Sequence, residues 1–134
     1  MGDSSEFVAI EGSLPNGFHD AVLYAMRVDF EKAEATIWLG ADVSLPDNGS
    51  DRVSFKPVTL LFKGLGSLKV DRPNGGGFLR FEGGASCAFE VMSVQQVAEV
   101  FGMDAVAFPV AVRLFIDDTN SNIHVLAESV QVVN

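Results

Sequence analysis

The chain has 134 residues, of which 48% are hydrophobic, and a mean hydropathy of +0.26. This length suits a single domain over 1–134, and the apolar content is enough for a core, which excludes wholesale disorder. A net charge of −9 and a pI near 4.4 exclude nucleic acid and anionic membrane surfaces as direct partners, because both require clustered Lys and Arg; the same charge favours solubility and steers a basic protein.

Residues 1–13 are polar except for Phe7-Val8-Ala9-Ile10, a patch read as a packed arm or an edge strand. Met1-Gly2-Asp3-Ser4-Ser5-Glu6 has no basic region followed by an apolar run, so no secretory signal is expected and the chain is read as cytoplasmic. Leu14-Pro15-Asn16-Gly17 is turn chemistry, and Phe18-His19-Asp20-Ala21 leads directly into a first strand over 21–30. There the alternation puts Val22, Tyr24, Met26, Val28 and Phe30 on one face and Ala25, Arg27 and Asp29 on the other.

Glu31-Lys32-Ala33 is short enough to make the next strand, 34–44, antiparallel to the first. Its core face is Ala35, Ile37, Leu39, Ala41 and Val43, with Trp38 opposite them. Trp38 is read as half-buried, or as an anchor for a partner. A loop over 45–51 follows, then a third strand over 58–63 whose fuller apolar content suggests a central place. A short strand over 68–71 precedes Arg72-Pro73-Asn74-Gly75-Gly76-Gly77, a Gly-rich connection without the spacing of a phosphate loop. Residues 78–82 and 87–92 read as two further strands.

Ser93-Val94-Gln95-Gln96 is a capping box, so a short helix is expected near 93–101, with Val94, Val97, Ala98 and Phe101 as its apolar stripe and Gly102 as its stop. Val110, Val112, Leu114 and Ile116 then alternate along another strand. Residues 123–133 run back after a turn, and their apolar phase breaks at Glu128-Ser129, the mark of a β-bulge. The expected fold is mainly β (α+β), an antiparallel meander or small sandwich with one short helix.

Few residues suggest chemistry. His19 and Asp20 could form a general base with an orienting carboxylate, but no nucleophile motif accompanies them, and they are read as structural, holding the turn by hydrogen bonds to backbone amides. His124 is expected on the solvent side of its strand. Two distant histidines and one cysteine give no metal spacing, so no metal and no cofactor are expected. Asp117-Asp118-Thr119-Asn120-Ser121-Asn122 is rich in oxygen donors but lacks the glycine of a calcium loop and reads as a hairpin turn. Cys87 should be a buried, inert thiol. Glu82, Glu90, Asp117 and Glu128 neighbour apolar core positions in their strands, so they should point outward and offer a negative surface.

The Phe18-His19-Asp20-Ala21 box, the first hairpin and the run Val58-Thr59-Leu60-Leu61-Phe62-Lys63-Gly64 resemble a group of small bacterial β-proteins over roughly residues 14–70. Some members of that group are immunity proteins of toxin systems. The resemblance implies a non-enzymatic interaction protein with a basic protein partner. Two alternatives stand beside it. One is a small-ligand binding module or an enzyme with its site near His19 and the loop 72–77. The other is a structural β-domain that self-associates, as a homodimer, through its strand edges.

Overall fold

The computed structural model describes residues 4–44, 54–71, 84–117 and 120–133. The elements run α1 (Ser5–Gly12), β1 (Ala21–Asp29), β2 (Glu34–Asp42), β3 (Phe55–Lys63), β4 (Ser67–Val70), β5 (Ala85–Val91), α2 (Val94–Phe101), β6 (Val110–Ile116), β7 (Ser121–Ala127) and β8 (Ser129–Val133). A 3-10 helix, Met103–Ala107, joins α2 to β6. The strands pair antiparallel in one sheet of order β4-β7-β6-β5-β1-β2-β3-β8. The expected strand over 78–82 and the loops 45–51 and 72–77 lie wholly or mostly outside the described residues.

Two bent stretches of chain shape this sheet. β3 runs on into β4 through Gly64, and β7 runs on into β8 through Glu128. At the corner the Glu128 amide donates to the carbonyls of Lys63 and Gly64, at 3.0 and 3.1 Å, and the Gly66 amide donates to Leu126 at 2.7 Å. Gly64 has φ +63°, and a Cβ there would push the Glu128 side chain aside, so glycine is favoured at this corner. The phase break expected at Glu128-Ser129 is this corner. Because β4 continues β3 and β8 continues β7, the two ends of the strand order are joined along the chain and the sheet curls round its core.

The inner core follows period-two alternation. Ala35, Ile37, Leu39 and Ala41 of β2, Val58, Leu60 and Phe62 of β3, and Val110, Val112, Leu114 and Ile116 of β6 are all buried together. In β1 the alternation breaks. Leu23 pairs with Leu39 and Ala25 with Trp38, leaving Tyr24 as an extra residue. Ala21 and Leu23 therefore point inward before this bulge, and Met26 and Val28 pack on the core after it. The expected single face of Val22, Tyr24, Met26, Val28 and Phe30 is thus corrected: Tyr24 is 53% exposed and Phe30 90%.

The segment read as an arm or edge strand is helix α1. A short apolar run cannot separate helix from strand by itself. Phe7 is its buried residue, with its ring 5.7 Å from Phe18 and 5.1 Å from Phe89. Buried Ser4 fastens the start of the helix to β6: its Oγ accepts from the Ala111 amide at 3.0 Å, and its amide donates to Pro109.

Helix α2 begins as expected. Ser93 Oγ accepts from the Gln96 amide at 3.1 Å, and Gln96 Oε1 accepts from the Ser93 amide at 2.8 Å. Its Val97, with Met92, Ala105, Ala111 and Leu126, forms a second apolar cluster on the outer side of β6 and β7. One half of the sheet's outer surface is thereby covered.

Candidate functional site

On the other half, the outward side of β1, β2 and β3 carries exposed aromatic rings. Register places Trp38 between Ala25 of β1 and Thr59 of β3, and Asp42 opposite Phe55. Trp38 is 38% exposed and Phe55 41%. The bulge turns Tyr24 onto the same surface, where it lies across Gly40. A Cβ at Gly40 would sit 2.9 Å from Tyr24 Oη and 3.3 Å from Phe55 Cβ, so the absence of a side chain lets the two rings approach the strand. Beside Trp38 a groove of about 150 Å³ is lined by Arg27, Asp29, Lys32, Glu34 and Thr36. Two cations and two carboxylates thus border the indole. The surface offers flat aromatic contact inside a ring of hydrogen-bonding groups.

His19 and Asp20 stand at the start of β1. Their side chains are 3.5 Å apart, Nε2 to Oδ2, and are 81% and 69% exposed. Asp20 has a left-handed backbone, φ 57°. The groups that tie this turn are different ones. Asn16 Nδ2 donates to the carbonyls of Asp42 and Ser44, at 3.1 and 2.9 Å, and Glu11 Oε2 accepts from the Phe18 amide at 3.4 Å. Phe18 itself is fully buried. At the end of β2, hydrogen bonds from Ser44, side chain first and then backbone, hold the Asp42 carboxyl below its usual range.

His124 is the main correction to the sequence reading. It is not on the solvent side but 3% exposed, because α2 packs over the outer side of β7 and sets Phe101 edge-on to the imidazole at 6.3 Å. Arg113 Nε donates to its Nδ1 at 3.4 Å, and its Nε2 lies 3.1 Å from Asp71 Oδ2. Glu90 Oε2 approaches Arg113 at 4.0 Å. A polar line, Glu90–Arg113–His124–Asp71, therefore crosses β5, β6 and β7 to the end of β4. Both ring nitrogens of the buried His124 thereby find a partner, as buried polar groups must. The sequence signal for it was the polar residues Arg113 and His124 within the otherwise apolar runs 110–116 and 123–127.

The outward carboxylates are dispersed. Glu90 belongs to the polar line, Asp117 accepts from Ser86 Oγ at 3.0 Å at the other end of β5, and Glu128 sits at the corner between β7 and β8. Glu82 lies outside the described residues. Cys87 is buried among the core residues, and burial, with Asp117 nearby, pushes its thiol up to about 12. The turn after β6 is closed by the Asn120 amide donating to the Asp117 carbonyl at 3.2 Å. Among the described residues, no group of three or more His, Cys, Asp or Glu side chains could hold a metal ion, and no helix is long and apolar enough to cross a membrane. No protein-family model matches the chain, and no curated protein or solved structure is significantly similar to it.

Proposed function

We propose that this chain is a non-enzymatic interaction protein of immunity type that binds a basic protein through the outward side of β1, β2 and β3. The observation that carries the reading is the group of exposed rings on one sheet surface, Tyr24, Trp38 and Phe55, with Arg27 beside them. Trp, Tyr and Arg are the side chains that concentrate binding energy at protein interfaces. A partner of basic character is supported by the net charge of −9, with Asp29, Glu34 and Asp42 on the same side and Glu90, Asp117 and Glu128 adding to the long-range field. The immunity-type assignment rests on the resemblance over residues 14–70.

The test is affinity capture followed by measurement on the purified partner. Wild type should bind a basic protein with association that slows as salt rises. Trp38→Ala should weaken that binding at least about tenfold, the scale of an interface hot spot. Binding that is indifferent to Trp38→Ala, Tyr24→Ala and salt overturns the reading. A concentration-dependent homodimer that Trp38→Ala dissociates would replace the basic partner with a second copy of the chain.

A further inference from the structure

Beyond the aromatic surface, the far end of β1 meets the bend between β3 and β4. A cavity of about 350 Å³ opens there, lined by Val28, Ala33, Leu65 and Leu68, with Ser67, Asp29 and Phe30 at its rim. Its size falls in the range of small-molecule sites, and such sites commonly occupy the mouth of a curled sheet. The lining is mostly aliphatic. Val28, Leu65 and Leu68 pack against the inner core, so the cavity floor is the core itself.

The rim is what specifies an occupant. Asp29 Oδ1 accepts from the Lys32 amide at 3.1 Å, and among the described residues no cation lies within 4.0 Å of this carboxylate. The Phe30 ring, 90% exposed, stands at the same rim. An unpaired carboxylate and a free aromatic face beside an aliphatic hollow suit one chemistry, a cation attached to an apolar body. A carboxylate-bearing or phosphate-bearing ligand of the same shape would meet repulsion from Asp29.

We propose that the cavity between the end of β1 and the β3–β4 bend binds a small hydrophobic amine, with the ammonium group at Asp29 and Phe30 and the apolar body against Val28, Ala33, Leu65 and Leu68. The site shares Asp29 with the groove beside Trp38 but contains none of the three rings, so the loss of Trp38 tests the protein-binding surface without altering the cavity lining.

The experiment uses the whole chain and a matched pair of probes, 4-phenylbutylamine and 4-phenylbutyrate, titrated into 15N-labelled protein. The amine should move the amide signals of residues 28–33 and 65–68 and bind at least about fivefold more tightly than the acid, the preference one partly exposed ion pair provides. Asp29→Asn, which keeps an oxygen for the Lys32 amide, should abolish the preference without lowering the melting temperature. Trp38→Ala should leave amine binding unchanged. Equal binding of the two probes, signal changes elsewhere, or no saturable binding of the amine overturns the proposal.

Discussion

Arg113 Nε donates a hydrogen bond to His124 Nδ1 across β6 and β7, and this contact assigns the histidine's tautomer. With Nδ1 accepting, the ring proton sits on Nε2 and faces Asp71 Oδ2 at 3.1 Å. The imidazole thereby links the end of β4 to the middle of β6 beneath α2.

His124→Ala should destabilise the fold by about 1–3 kcal/mol, because it strips a partner from Arg113 and from Asp71 at once. A double-mutant cycle with Asp71→Ala, read by urea denaturation, should give a coupling above about 0.5 kcal/mol. Additive losses would show that the contact carries no energy of its own.

Ile37 is fully buried at the centre of the curled sheet. Ile37→Ala should cost about 2–5 kcal/mol in chemical denaturation. A loss below about 0.5 kcal/mol would remove it from the core.

The Cys87 thiol is raised to about 12 from its ordinary value of 9.0, first by burial and then by Asp117. The unfolded chain therefore releases this proton at lower pH than the folded one. Stability contributed at this site is fully present below pH 9 and falls as pH climbs toward about 12. Cys87→Ser should not reproduce that alkaline loss, and in native wild type the thiol should resist a thiol reagent at pH 8 until denaturant is added.

Asp20 holds a left-handed backbone and makes its side-chain contact with His19 in solvent. Asp20→Gly should leave the melting temperature equal or higher, whereas Asp20→Val should lower stability by about 1–2 kcal/mol. A marked loss on Asp20→Gly would show that the carboxylate supports the turn after all.

What could be read in advance was local. The alternation along Val110–Ile116 and across Ala35, Ile37, Leu39 and Ala41, the Ser93–Gln96 box and the phase break at Glu128 all lie within a few neighbouring residues. What could not be read depends on a neighbour in space. The Tyr24 bulge exists only in register with β2, since Leu23 and Tyr24 are both plausible core residues in isolation. His124 is buried only because α2 folds back over β7. Trp38 stood out as an aromatic opposite a core face, but its companions Tyr24 and Phe55 reach the same surface through that bulge and through pairing with Asp42. The apolar cavity joins two turns distant in sequence, and no periodicity announces it.

The corner at Gly64 and Glu128 has a kinetic consequence. The ladders β3·β8 and β4·β7 join chain segments far apart in sequence, and both meet at this one corner. The β1–β2–β3 hairpins can form early from near neighbours, but the curl cannot close until β7 and β8 return to them. Closing so long a loop is a slow event in folding. Glu128→Pro, which removes the amide that bonds Lys63 and Gly64, should therefore slow refolding in stopped-flow measurements as well as lowering stability. Until that last closure the apolar edge of β3 stays open, and this is the interval in which the chain is most prone to pair with another copy of itself.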